Sequence, residues 1–313
     1  MIQQLEPDLF LIDHELQGVP RTIASYLLTD GDDLTLIETG PTTTMETLLG
    51  GVRAAGFDPE RITRLVVTHI HLDHAGAAGA LLQRLPRARL FVHRVGAPHM
   101  ADPSRLISSA TRIYGERMES LWGEMRPIAA DRIRSLADGE VLSVAGRNVT
   151  ALFTPGHATH HIAYWDEASG DLFTGDVAGV RIPGTTYVCP PTPPPDIDPE
   201  AWRASIARLQ ALPLQRICLT HFGPIEGPSA SADHLARLLP ELDAFLALGL
   251  EAVADGKEIR EPDQTSLTAA IHARMADALR DDPEALAHLE WATPSYMAAM
   301  GLVRWATKRG GKG

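Results

Sequence analysis

The sequence predicts an α+β fold with a helical extension at its C-terminal end. Short apolar runs of strand length end in polar side chains, apolar residues at helical spacing separate several of these runs, and the composition shifts to alanine and leucine beyond Pro228. The chain has 313 residues, more than one average domain, and its 44% of hydrophobic residues suffice for a buried core. We therefore predict a first domain over residues 1–228 and a helical extension over residues 229–313.

The first 60 residues are predicted to form strands followed by a helix. Strands are expected at residues 9–13, 24–29 and 34–38, and the turn at residues 30–33 marks the last two as a hairpin. A helix should follow, because four apolar residues recur at helical spacing before Gly56, namely Met45, Leu48, Leu49 and Val52.

The middle of the chain alternates predicted helices and strands. A helix is expected at residues 75–85, and an apolar stripe within residues 98–127 predicts a helix packed on the core or, less favoured, a substrate lid. A further helix should contain Trp202, Ile206 and Leu209. Strands are predicted at residues 90–93, 149–153, 162–165, 171–176 and 216–221.

Three histidines and one aspartate cluster directly after an apolar strand-like segment. The run Thr68-His69-Ile70-His71-Leu72-Asp73-His74 follows Leu65-Val66-Val67. Neutral imidazole is the commonest protein ligand for zinc or iron, and a short loop at a strand end holds several side chains around one point. A single histidine in such a place is more often structural, but three within six residues predict a site for one or two metal ions.

Further candidate ligands occur downstream, each at the end of an apolar run. His157 lies in Thr154-Pro155-Gly156-His157, Asp176 ends the strand-like run from Asp171, and His221 ends the run from Arg216. Each residue alone is a weak signal, but together they supply the remaining ligands that a metal site needs.

This pattern, His-x-His-x-Asp-His followed by His, Asp and His at strand ends, resembles the metallo-β-lactamase superfamily over residues 1–228. The resemblance implies a four-layered αββα sandwich that binds two divalent metal ions, with zinc as the default and iron or manganese as alternatives. It also implies that His69, His71 and His157 bind the first ion, that Asp73, His74 and His221 bind the second, and that Asp176 bridges both.

Such a centre predicts a hydrolase. Two divalent ions about 3.5–4 Å apart lower the pKa of a bridging water, so that hydroxide becomes the nucleophile, and they polarise the oxygen under attack. Asp73 is the best candidate to orient that hydroxide and to pass a proton to the leaving group. The expected substrate is a small carboxylic ester, thioester or lactone.

Some features resemble glyoxalase II, a thioesterase of this superfamily. Tyr187 lies in the proline-rich segment 179–199, where that family has a tyrosine, and we predict that its phenol contacts the substrate. The lysine that binds glutathione in that family is matched here by Thr185. Near the metals, Glu38 replaces the usual aspartate, and it, His160 and His161 are candidates for orienting the ligands.

Two other functions share these motifs. A di-iron or mono-iron redox enzyme of the same fold is one, although no flavin-binding domain is visible. A nuclease of the ribonuclease Z kind is the other, but 28 basic against 40 acidic residues, a net charge of −12, disfavour nucleic acid as a partner.

The sequence predicts a cytoplasmic protein with no membrane partner. Its N-terminus lacks the features of a signal peptide, and Cys189 and Cys218 are expected to be reduced thiols. The apolar stripes beyond residue 228, interrupted by Pro240, predict three or four helices. These helices are expected either to complete the substrate pocket or to form a homodimer interface.

Overall fold

The computed structural model describes residues 1–31, 33–195, 197–254 and 264–310. The chain forms two compact units, one made of Met1–Phe153 with His160–Gly175 and the other of Thr154–Thr159 with Asp176–Gly313. The predicted domain boundary at residue 228 coincides with the first residue of a long helix, and it stays a prediction.

The first unit contains a mixed sheet whose strands follow one another in chain order. Its described strands are β1 (Ile2–Glu6), β2 (Leu9–Asp13), β3 (Ala24–Asp30), β4 (Asp33–Ile37), β5 (Ile62–Val66), β6 (Arg89–His93) and β7 (Ile133–Leu136). Neighbouring strands pair antiparallel from β1 to β4 and parallel from β4 to β7. Parallel pairing requires crossover connections, and the helices of this unit lie in those connections.

One face of this sheet is covered by helices. They are α1 (Met45–Ala54), α2 (Leu72–Ala75), α3 (Ala78–Arg84), α4 (Ala97–Ala101), α5 (Ser104–Tyr114) and α6 (Met118–Trp122). The apolar stripe predicted for α1 is buried, and Leu48 and Val52 belong to the same core cluster as Leu65 and Leu90 of the sheet. Burial of this stripe therefore fixes the helical layer on the sheet.

A second, antiparallel set of strands covers the opposite face of the first sheet. These strands are β8 (Val141–Val144), β9 (Arg147–Phe153), β10 (Ile162–Asp166) and β11 (Asp171–Gly175). The ring of Phe173 packs edge-on against Tyr26 of β3 at 5.3 Å between ring centroids. The buried hydroxyl of Tyr164 donates a hydrogen bond to the carbonyl of Val67 at 2.8 Å. The first unit is thus layered as helices, sheet and sheet.

The second unit combines a strand pair with helices. The antiparallel strands are β12 (Arg216–Leu219) and β13 (Gly223–Glu226), and the described helices are α7 (Pro199–Gln210), α8 (Pro228–Val253), α9 (Gln264–Ala278), α10 (Pro283–Ala292) and α11 (Ser295–Gly310). Helices α8, α9 and α11 pack on one another. Within the described ranges, no helix combines the length and apolar character that crossing a bilayer requires.

Two prolines expected to break regular structure lie inside it. Pro240 is within α8, which continues through it because apolar side chains on both sides, including Leu238 and Leu242, are buried. Pro224 is within β13 and faces Cys218 of β12 in the strand register. In both places tertiary packing outweighs the local preference of proline.

The section between β6 and β7 agrees with the prediction of helices packed on the core. Tyr114, Met118 and Leu121 pack against the core cluster, and Trp122 and Met125 are buried in it. The predicted continuous stripe is divided between α5 and α6 by a short 3-10 turn at Gly115–Arg117. The helical side chains serve the scaffold in this arrangement.

Candidate metal centre

The histidine run of the first unit lies at the carboxyl end of β5. This strand is parallel to both of its neighbours, and the backbone leaves the sheet after Val67 and starts α2 at Leu72. The Nε2 atom of His69 lies 2.9 Å from Nδ1 of His71, and the ring of His74 lies 4.0 Å from that of His69 between centroids. His69 and His74 are fully buried. Three imidazoles therefore converge on one place.

Asp73 and His74 form the second part of this cluster. The Nε2 atom of His74 lies 3.6 Å from Oδ2 of Asp73, whose side chain is partly exposed. On the other side of the ring, Nδ1 of His74 lies 3.0 Å from Oε1 of Glu38. A carboxylate only accepts hydrogen bonds, so Nδ1 carries a proton, and in the neutral ring Nε2 presents its lone pair to Asp73.

Glu38 and Thr68 contact the histidines of this cluster through hydrogen bonds. Glu38 is fully buried at the end of β4, and its carboxylate accepts hydrogen bonds from the backbone amide and the hydroxyl of Thr68. The same hydroxyl lies 3.0 Å from Nδ1 of His69. Glu38 therefore holds two candidate ligand histidines in place, His74 directly and His69 through Thr68.

Gly175 leaves room for this support. A Cβ atom at this position would lie 2.4 Å from the hydroxyl oxygen of Thr68 and 2.8 Å from Nε2 of His161, and the backbone has a φ of +50°. Any larger residue would displace both side chains and strain the backbone. The end of β11 is thus shaped by the close approach of the ligand-bearing loop.

His160 and His161, which were predicted as possible orienting residues, lie beside the ligand histidines. The ring of His161 is fully buried and stacks on His69 at 5.0 Å between centroids. The ring of His160 is 6.1 Å from that of His69 and 5.8 Å from that of His71. Both rings therefore contribute to the shape of the cluster.

The second unit carries its own cluster of candidate ligands. The carboxylate of Asp176 lies between two histidines, with Oδ2 at 3.3 Å from Nε2 of His157 and Oδ1 at 3.4 Å from Nε2 of His221. All three residues are nearly or fully buried. A carboxylate that offers one oxygen to each of two imidazoles has the arrangement expected of a bridging ligand.

The ring of His157 is fixed by the proline-rich segment. Its Nδ1 atom donates to the carbonyl of Pro191 at 2.8 Å, and Trp202 packs edge-on against the ring at 5.9 Å between centroids. A Cβ atom at Gly156 would lie 2.4 Å from the Cβ of Trp202, so only glycine allows this approach. Because Nδ1 carries the proton, Nε2 presents a lone pair to Asp176.

The nitrogen and oxygen atoms that face each other in the two clusters suit metal ions. In the first unit, Nε2 of His74 faces Asp73, and in the second, Nε2 of His157 faces Asp176, so that an acceptor nitrogen meets an acceptor carboxylate. The nitrogen lone pair and the carboxylate oxygen of such a contact repel each other, unless a metal cation lies between them or the imidazole ring is doubly protonated. Histidine and aspartate are also ligands that zinc, iron and manganese accept.

Tyr187 is part of a polar network with the C-terminal helices. Its hydroxyl donates to Oε1 of Glu241 in α8 at 2.6 Å. Arg274 of α9 holds both oxygens of Glu241, through Nε at 2.6 Å and Nη2 at 2.8 Å. Burial, with the Glu241 contact as a further cause, raises the pKa of the Tyr187 phenol well above its usual range. The phenol is therefore protonated at neutral pH, and its contact with substrate stays a prediction.

The described residues of the proline-rich segment that precede Pro199, the first residue of α7, form no helix and show only an isolated bridge between Val180 and Cys189. Within it, Pro190 and Pro191 are buried, and the carbonyl of Pro191 orients His157 as described above. This role rests on a backbone atom that every residue has, so the sequence held no signal for it.

A sequence profile of the metallo-beta-lactamase superfamily matches residues 18–221, about two thirds of the chain. The chain belongs to the metallo-β-lactamase superfamily. The matched range contains all seven candidate ligands, and the resemblance predicted from the sequence is confirmed.

Two relatives align with this superfamily member over most of their length. A metallo-beta-lactamase fold-containing protein of Sulfurisphaera tokodaii is 26% identical over 66% of this chain and 78% of its own. A hydroxyacylglutathione hydrolase of Maricaulis maris is 27% identical over 80% of this chain and 83% of its own. Of some other relatives the chain spans less, such as 32% of a hydroxyacylglutathione hydrolase of Synechococcus. The relatives include named hydrolases, so the predicted enzyme class, a hydrolase, is confirmed.

A solved structure supports the fold over nearly the whole chain. A metallo-beta-lactamase family protein of Thermus thermophilus superposes with a TM-score of 0.65 at 23% identity, covering 98% of this chain and 95% of its own. This likeness concerns the fold alone. The predicted α+β metallo-β-lactamase sandwich with a C-terminal helical region is confirmed.

Proposed function

We propose that the two clusters act together as a dinuclear centre in a hydrolase of small carboxylic esters, thioesters or lactones. The observation that carries this proposal is the facing of acceptor nitrogens and carboxylate oxygens, at His74 with Asp73 and at His157 with Asp176. In the absence of a cation, contacts of this kind between buried or partly buried groups would cost stability. A metal site is the arrangement in which they become favourable.

The ligands are proposed to divide as the superfamily resemblance implies. His69, His71 and His157 would hold one metal ion, Asp73, His74 and His221 the other, and Asp176 both. When bound, two divalent ions acidify a water molecule held between them and polarise the carbonyl oxygen of the substrate. Zinc is the default metal, with iron or manganese as alternatives.

Asp73 is the residue proposed to handle protons. Its carboxylate is partly exposed, unlike the buried Asp176, and lies beside the ring of His74. Within this position it can accept a proton from the attacking water, hold it at a carboxylate oxygen and deliver it to the leaving oxygen or sulfur. Glu38 keeps the neighbouring imidazole of His74 in a fixed orientation while this happens.

The substrate class is proposed from the names of relatives. They include a hydroxyacylglutathione hydrolase, an atrochrysone carboxyl ACP thioesterase of Aspergillus fumigatus and an N-acyl homoserine lactonase of Rhizobium johnstonii. All three act on an activated acyl group, which is the chemistry that a metal-activated water performs. A cytoplasmic location and a homodimer formed through the C-terminal helices remain proposals from the sequence.

The experiment compares the wild-type chain with His69→Ala on thioesters, lactones, phosphodiesters and β-lactams. We expect the metal-loaded wild type to hydrolyse a thioester or lactone, and the variant to lose at least about 100-fold in kcat/KM because a ligand is missing. His288→Ala, on α10, is the matched control and should keep full activity. Equal activity of His69→Ala and wild type would refute the site, and hydrolysis of phosphodiesters alone would favour the nuclease alternative.

Tyr187 is proposed to contact the transition state from the wall of the pocket. Tyr187→Phe should then lower kcat by about tenfold or more, with little change in the metal content. An unchanged kcat would show that the phenol serves only its hydrogen bond to Glu241.

A further inference from the structure

We propose that a basic cavity in the first unit binds a small anionic molecule with a dianionic phosphoryl group and an apolar part. The cavity has a volume of about 390 Å³, and its lining includes four arginines, namely Arg64, Arg87, Arg89 and Arg134. It involves none of the candidate metal ligands, so the proposal does not rest on the proposed function. The cavity is thus basic although the chain has a net charge of −12.

The strand register places two of these arginines side by side. Arg64 of β5 is the direct partner of Arg89 in β6, and Arg134 of β7 is the direct partner of Phe91. Residues 89 and 91 are two apart in β6 and therefore point to the same face of the sheet. This face carries the side chains of both pairs, namely Arg64, Arg89, Phe91 and Arg134. The pairing therefore concentrates guanidinium groups on one part of this face.

The neighbouring acids neutralise only half of the positive charge. Arg64 pairs with Asp33 at 2.5 Å, and Arg134 pairs with Glu140 at 2.6 Å. Among the ion pairs of the described residues, none involves Arg87 or Arg89, and both side chains are exposed. Two unneutralised guanidinium groups match the two charges of a phosphate monoester, and arginine binds such groups with two parallel hydrogen bonds.

An apolar surface adjoins the charged one. The lining also includes Phe91 and Val141, and Val141 of β8 is 57% exposed. The guanidinium of Arg134 lies over the ring of Phe91 at 5.4 Å, which orients that arginine toward the cavity. A ligand with an aromatic or aliphatic part next to its phosphoryl group would cover Val141 while its charge meets Arg87 and Arg89.

The test is isothermal titration of the metal-loaded chain with phenylphosphonate at pH 8, where this probe is a dianion that hydrolases of ester bonds cannot cleave. We expect saturable binding to the wild type, and about tenfold weaker binding to each of Arg87→Gln and Arg89→Gln. The control Arg53→Gln removes an exposed arginine at the end of α1 and should bind as the wild type does. Benzenesulfonate, a monoanion, should bind more weakly than phenylphosphonate.

Two outcomes would overturn the proposal. One is an absence of saturable binding, and the other is equal binding by the wild type, Arg87→Gln and Arg89→Gln, which would place the phosphonate at the metal centre instead. The melting temperatures of the wild type and both variants, measured without ligand, show whether weaker binding results from misfolding. Since Arg89→Gln removes a like-charge contact with Arg64, its melting temperature should equal or exceed that of the wild type.

Discussion

At the scale of single residues, the candidate centre depends on which ring nitrogen of each histidine carries the proton. Glu38 and the carbonyl of Pro191 accept from Nδ1 of His74 and His157, so both rings direct Nε2 toward a carboxylate. These partners set the orientation of the two candidate ligands, and a carboxylate partner makes the opposite nitrogen more basic. They therefore limit the reorganisation that metal binding requires.

Glu38→Gln tests this positioning role. The amide still occupies the space, but it accepts more weakly from His74 and from Thr68, so metal affinity should fall by about tenfold or more. The measurement is competition with a chelator of known affinity. Glu46→Gln, which removes an exposed acid on α1, is the control and should leave the affinity unchanged. Unaltered affinity in Glu38→Gln would show that the carboxylate does not support the ligand.

The seven candidate ligands could be predicted from the sequence because each follows an apolar strand-like run in a superfamily pattern. Thr68 precedes His69 in the same run, and in the structure its hydroxyl links Glu38 to His69. Nothing in the sequence marks this threonine as different from other threonines. The acceptor from Pro191 is a backbone carbonyl, which sequence patterns do not mark. Such supporting contacts depend on tertiary placement and became visible only in the structure.

His93 predicts a pH dependence of stability. It is buried at the end of β6, its Nδ1 accepts from the amide of Val95, and burial lowers its pKa to about 4 from 6.5. Between these values the unfolded chain binds a proton that the folded chain does not. Neutral buried His93 therefore contributes its full stability above pH 6.5. As the pH falls toward 4 that contribution is lost, and the free energy of unfolding falls by on the order of 2 kcal/mol.

The variant His93→Asn checks that contribution. Its amide oxygen can still accept from Val95 but does not titrate, so its free energy of unfolding should fall less between pH 7.5 and pH 5 than that of the wild type. Urea unfolding in the presence of a chelator measures the difference. Parallel pH profiles for the two proteins would contradict the assignment.

At the scale of elements, the candidate ligands follow the ends of strands. The histidine run follows β5, Asp176 follows β11 and His221 follows β12. Periodicity predicted these strands well, because their apolar residues are buried. Strands β1, β7 and β8 were not predicted, since each has two exposed positions and lacks a continuous apolar run. Strand β13 was not predicted because it begins with Gly223 and Pro224.

Pro240 provides a prediction for α8. Proline inside a helix removes one backbone hydrogen bond and crowds the preceding turn, so Pro240→Ala should raise the free energy of unfolding by about 2 kcal/mol. Pro228 occupies the first turn of the same helix, where proline is tolerated, and Pro228→Ala should bring no gain. Denaturant unfolding compares the two variants. Similar effects of both substitutions on the free energy of unfolding would contradict this, and would mean that Pro240 does not destabilise α8.

At the scale of the whole molecule, the described part of this acidic chain includes two clusters of histidine and aspartate and a cavity rich in arginine. The fold class followed from the strand and helix patterns and from the superfamily motif, and the superfamily match confirms it. Substrate identity could not be predicted, because it depends on side chains from loops and helices that no motif specifies. Tyr187 illustrates this, since its hydroxyl partner Glu241 lies 54 positions away in the chain.

The proposed function requires that the two clusters together bind two metal ions. Native mass spectrometry of the chain, loaded with zinc and freed of excess metal, measures the number bound directly. The proposal predicts two ions per wild-type chain and at most one in Asp176→Ala, which lacks the bridging carboxylate. One ion or none in the wild type, or two in Asp176→Ala, would contradict it.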